Sequence, residues 1–120
     1  MAKMFEEIEV WQLARVLVKE IYSITSTDKI NRNFSLKDQI QRAALSVMNN
    51  ISEGFERHSD REFAYFLNIA KGSAGEVRSM LFMLLDMHYI DNVTFQKIYD
   101  QTMTISKSLA GFITYLKTQS

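Results

Sequence analysis

The chain of 120 residues carries 14 basic and 14 acidic side chains, a formal charge of zero, and contains no cysteine and no proline. Its size is that of one domain. The zero charge excludes the overall basic field of a protein that grips nucleic acid through its phosphates, leaving only local patches. The missing cysteine excludes disulfides, thiol catalysis and thiolate-ligated metal.

Proline has an ordinary share of ~5%, so its absence predicts long helices. The charge-free apolar stretch from Ser79 to Leu85, like every other charge-free stretch of the chain, is far short of the ~20 residues that cross a bilayer. The first residues carry no apolar signal core, so no membrane is expected and the cytoplasm is the default compartment.

Four helices are predicted in chain order. The first covers about 7–26 and ends where Thr25, Ser26, Thr27 and Asp28, then Asn31 and Asn33, break the apolar rhythm with residues that favour turns; a long loop is expected there. The second covers 35–54, with Ser35 as its N-cap and Gly54 as a C-terminal glycine. The third, 59–87, opens on Ser59-Asp60-Arg61-Glu62, a capping box in which serine and glutamate satisfy each other's free amides. The fourth, 91–117, begins near Asp91 or Asn92. Short connections after the second and third helices favour an all-α, antiparallel, up-down-up-down four-helix bundle.

Placed at 100° per residue, the apolar side chains of the first helix (among them Trp11, Leu13, Leu17, Ile21 and Tyr22) span an arc of roughly 220°. Those of the third helix surround it almost completely, leaving a polar strip of Asn68, Ser79 and Asp86 beside Gly75. A lone bundle keeps its outer faces polar, so the surplus predicts contact with further copies of the chain.

One polar pattern stands out. Gln39, Arg42, Ser46, Asn50 and Glu53 recur at spacings of three and four and form a stripe beside the apolar face of the second helix. The stripe either supplies hydrogen bonds and ion pairs between helices or subunits, or forms a binding site. Local basic residues, Lys29, Arg32 and Lys37 around the first loop and Arg57 and Arg61 around the second turn, are the candidate RNA contacts, interleaved with Asp28, Asp38 and Asp60.

Metal and catalytic patterns are weak. Neither His58 nor His88 follows a glutamate at the spacing of di-iron bundles. His58 and Glu62 alone make a poor metal site, and Gly72-Ser73-Ala74-Gly75 lacks the lysine of a phosphate loop. That glycine pair reads instead as a smooth patch for close helix approach. No cofactor, metal, catalytic residue or small-molecule substrate is expected.

Val10-Trp11-x-x-Ala14, Gln39-Ile40-x-Arg42-Ala43-Ala44-x-Ser46, Asn50-Ile51-x-Glu53-Gly54-Phe55 and Ser59-Asp60-x-Glu62-Phe63-x-x-Phe66-Leu67-x-Ile69-Ala70-x-Gly72-Ser73 together resemble the proteins encoded in intervening sequences of bacterial 23S ribosomal RNA genes. These are often labelled 23S rRNA-associated or ribosomal. The resemblance implies a four-helix bundle assembled into a ring-like homopentamer and says much less about activity, since where some relatives are encoded does not show RNA binding. The expected function is that of a non-enzymatic interaction or scaffold protein around RNA or a ribonucleoprotein, the alternative being direct RNA binding through the basic residues at one end of the bundle. The resemblance marks Arg42, Asn50, Glu53 and Gly54 as signature positions without assigning them a role. Met48 stands where the family often has the proline that bends this helix.

Overall fold

The computed structural model describes residues 2–119. After a 3-10 turn at Phe5–Glu7, five helices follow: α1 (Glu9–Thr25), α2 (Asp28–Arg32), α3 (Phe34–Phe55), α4 (Asp60–Asp86) and α5 (Asn92–Gln119). No strand occurs among the described residues, and no helix is long and apolar enough to cross a membrane. The body measures 47 × 20 × 20 Å.

Cross-helix contacts fix the directions. Gly54 lies against Phe63 and Phe66, and Ser46 meets Ser73 further along, so α3 and α4 are antiparallel. Phe63 packs edge-to-face on Phe112 at 5.0 Å, Arg78 reaches Ser106, and Phe82 packs on Phe95; α4 and α5 are antiparallel too. α1 runs against both α3, through Thr25 and Gln41, and α5, through Glu20 and Lys97. α1 and α4 do not pack on each other, so they lie diagonally opposed. Leu17, Ile21, Ile40, Ile51, Leu67, Leu81, Ile98 and Leu109 fill the space between, wholly buried.

The structure corrects the expected boundaries at several points. The long loop contains α2, because Ile30 is drawn completely into the core and its burial outweighs the turn preference of its neighbours. α3 begins before Ser35: its N-cap is Asn33, whose Oδ1 accepts the Leu36 amide at 3.4 Å. α3 then runs unbroken through Met48.

Gly54 is not a C-terminal glycine in the left-handed region, where no glycine lies. That conformation is taken by His58 (φ 57°) and His88 (φ 61°), one after each of the two inner helices. Histidine tolerates it better than most side chains. At His88 it closes a Schellman turn, with Tyr89 N–H donating to Leu84 O at 2.9 Å and His88 N–H to Leu85 O at 3.0 Å. Half of the expected capping box forms: Ser59 Oγ accepts the Glu62 amide at 3.3 Å, while the Glu62 carboxylate lies 3.9 Å from the Arg57 guanidinium.

Candidate functional site

The polar stripe separates into one interhelical cluster and two local ion pairs. Ser46 Oγ lies 2.8 Å from Ser73 Oγ across α3 and α4. Asn50 Nδ2 donates to both the Ser46 carbonyl (2.8 Å) and its hydroxyl (2.9 Å). These three side chains sit half-buried at the rim of the core, where a polar group left unmatched carries a penalty.

Arg42 and Glu53 do not pair with each other. The Arg42 side chain, 78% exposed, holds Asp38 at 2.9 Å, and Glu53 holds Arg57 at 3.2 Å. Each partner is one turn away on or just beyond α3, so neither pair ties helices together. Arg57 also stacks its guanidinium over Phe66, 4.9 Å from the ring centre. Gln39 is exposed.

Gly54 has a steric role. A Cβ built on it would lie 2.7 Å from Phe66 Cβ and 2.9 Å from Phe63 Cδ1, so only glycine admits this approach of α4 to α3. The patch expected at Gly72 and Gly75 behaves otherwise. A Cβ at Gly72 would meet nothing within 4 Å and one at Gly75 only Arg78 Nη2 at 3.5 Å. Buried Ala74 and the Ser73 hydroxyl make the contact instead.

The basic residues fall into two groups. Lys29 and Arg32 are exposed on α2, and Lys37 donates to Asn31 Oδ1 at 2.6 Å. Arg57 and Arg61 lie exposed beyond the other end of α3, whose 22 residues at ~1.5 Å each separate the groups by roughly 33 Å. They do not form one patch. Phe34, the first residue of α3, is 74% exposed.

Other polar links were not anticipated. Gln41 donates to Thr25 Oγ1 at 2.9 Å, Asn33 to the Tyr89 hydroxyl at 3.3 Å, and Arg78 to Ser106 Oγ at 2.8 Å. Ser106 offered a signal in retrospect: it sits next to Ile105, on the flank of the apolar stripe of α5.

A cleft of about 520 Å³ opens at the end where the 3-10 turn, the α3–α4 connection and the last turns of α5 meet. Its lining includes Ile8, Phe55, Phe63 and Phe112, with Lys3 and His58 among its polar members. Among the described residues no group of three or more His, Asp or Glu is placed to hold a metal ion. His58 precedes α4 in the left-handed conformation, and Glu62 faces Arg57, so the two do not form a helical ligand pair.

Among the described residues, Glu7 and Asp91 have lowered pKa values, and both cap chain turns. Glu7 accepts the backbone amides of Met4 (2.9 Å) and Lys3 (2.6 Å). Asp91 accepts the Thr94 amide at 2.7 Å, with the Thr94 hydroxyl adding to the effect. Hydrogen bonds to the ionised form hold each below its ordinary value.

These features define an all-helical protein in which a few polar pairs, Ser46 with Ser73, Gln41 with Thr25 and Arg78 with Ser106, link one helix to another. The chain belongs to the 23S rRNA-intervening sequence protein family, which it matches over residues 6–111. It is similar to a crystal structure, at 1.70 Å resolution, of a protein of unknown function from the S23 ribosomal protein family of Bacteroides thetaiotaomicron VPI-5482. The identity is 26% and the TM-score 0.80, with 87% of this chain and 97% of that one covered. Comparison with curated proteins finds no match.

Proposed function

We propose that this chain is a non-enzymatic interaction protein of the cytoplasm. In this reading its four long helices act as an antiparallel four-helix bundle, and copies of it assemble into a ring that serves as a scaffold for a ribosome-related or other ribonucleoprotein particle. Pentameric closure is what the family resemblance implies. The observation that carries the reading is apolar surface left in solvent: Tyr65 is 64% exposed, Phe82, despite packing one side on Phe95, and Met83 49% each and Met87 40%, all on or just after α4. A monomer gains nothing from holding such side chains in water, whereas burial between copies contributes about 25 cal/mol per Å². Light scattering on the purified protein at micromolar concentration is expected to give a mass several times the 14.0 kDa of one chain, near five copies. A clean 14.0 kDa species overturns the reading.

Phe34 favours a second reading, direct binding of single-stranded RNA. An aromatic ring as exposed as this, preceded by Lys29 and Arg32, is the combination on which unpaired bases stack while cations hold the backbone. Affinity for 23S rRNA fragments is then expected to fall log-linearly with salt and to weaken on Arg32→Ala with Lys37→Ala. Absent or salt-independent binding removes this reading.

A further inference from the structure

Two rows of side chains share one spacing. On the outer side of α4 stand Tyr65, Ile69, Gly72, Glu76, Ser79 and Met83. On the edge of α5 stand Lys97, Gln101, Thr104, Ser108, Gly111 and Tyr115. Both step by four, three, four, three, four, the rhythm by which two helices interlock along a seam. Neither row is filled within the chain: Tyr65 and Met83 project into solvent, and a Cβ at Gly72 or Gly111 would meet nothing within 4 Å.

The α5 row also contains an unmet acceptor. Gln101 Oε1 is shielded from solvent yet has no hydrogen-bond donor among the described residues. It lies at a groove of about 230 Å³ between α1 and α5, whose walls include Leu13, Val16 and Ile105. A buried acceptor without a donor is a standing cost, relieved when a donor arrives from outside.

The geometry points to a head-to-tail contact in which the α4 row of one copy seats in the α1–α5 groove of a second copy. This rests on the self-assembly reading above and names the two faces that carry it. Rotation about an axis parallel to the long dimension leaves helix directions unchanged, so α4 of one copy runs antiparallel to α5 of the next. With the rows aligned end to end, Ser79 comes opposite Gln101, where a turn of the amide would bring Oε1 out to accept from the serine hydroxyl. Ile69 comes opposite Gly111 and fills the space there, and Gly72 comes opposite Ser108.

Charge agrees with this register. Glu76 stands within the α4 row and Asp86 one turn beyond its end, and Lys107 and Lys97, the latter shared with Glu20 of its own chain, come within one turn of them on the α5 side. Because α1 and α4 do not pack on each other, the two faces lie on different sides of the molecule and are engaged at once. Such a heterologous contact closes into a ring when the rotation between copies divides a full turn, and runs on as a filament when it does not.

The natural absence of cysteine makes the test specific. Gly72→Cys with Ser108→Cys, and separately Ser79→Cys with Gln101→Cys, are oxidised with diamide and run on a non-reducing gel beside light scattering. Expected is a covalent ladder reaching the full assembly in either double variant, while each single variant stays at one chain because like positions never meet in a heterologous contact. A multimer by light scattering that gives no ladder in both double variants, or that gives dimers in the single variants, overturns the α4-to-groove contact and leaves self-assembly standing. A monomer by light scattering overturns both.

Discussion

The hydroxyls of Ser46 and Ser73, 27 positions apart in the chain, stand 2.8 Å from each other where α3 and α4 meet. Because Asn50 donates to the same Ser46 oxygen, Ser46 serves two partners and Ser73 one. Ser46→Ala is therefore expected to cost about 1–3 kcal/mol, leaving Ser73 without its partner and Asn50 with the Ser46 carbonyl alone, and Ser73→Ala about 1 kcal/mol or less. Denaturant unfolding of both variants checks the order, and equal losses would contradict it.

Gly54→Ala brings a methyl group to 2.7 Å from Phe66 Cβ and 3.3 Å from the Phe63 carbonyl, a clash that backbone must yield to. Overpacking of this kind costs ~1–3 kcal/mol, against a helix-propensity gain of up to ~1 kcal/mol. A net loss of about 1–2 kcal/mol is expected. Gly75→Ala meets only the flexible end of Arg78 and should gain about 0.5–1 kcal/mol. Thermal melts that rank the two variants the other way would refute the steric account.

Arg42 and Glu53 are the signature residues whose partners lie one turn away in solvent. Exposed pairs of this spacing contribute about 0.3–0.5 kcal/mol, so Arg42→Ala and Glu53→Ala should each leave the melting temperature within about 2 °C of the parent. A loss of oligomer mass in either variant with an unchanged melt would assign that side chain to a contact between copies.

Glu7 and Asp91 both have pKa values lower in the folded chain than in the unfolded one, through hydrogen bonds to the Met4 and Lys3 amides and to the Thr94 amide respectively. A carboxyl shifted this way adds stability that is complete above its unfolded value and is lost as pH falls through its folded value. Melting temperature is expected to hold near neutrality and to decline below about pH 4. Asp91→Asn keeps the acceptor oxygen and takes up no proton, so its acid limb should be shallower; superimposable limbs would count against the cap.

The long helices were legible because their apolar positions repeat at helical spacing and because Ser59 and Asp91 stand where caps belong. α2 was not, since local turn preference in residues 27–33 points away from helix and only burial of Ile30 among residues distant in sequence overrides it. The stripe on α3 was visible as a stripe, but spacing on one helix says nothing of what stands opposite, and Ser73 emerged only with the α3–α4 register. Gly54 was read by its position near a helix end. Its real constraint comes from Phe63 and Phe66, and the turn that would ordinarily call for glycine is made by His58.

The diagonal separation of α1 from α4 also orders the folding reaction. α3, α4 and α5 pack in pairs that are consecutive in the chain and joined by connections of four and five residues, so their contacts close small loops at low entropic cost. α1 reaches α5 only across the intervening three helices, the most distant pairing in the molecule. The C-terminal three helices are therefore expected to form first and α1 to dock last, which low φ-values for core substitutions in α1 would show.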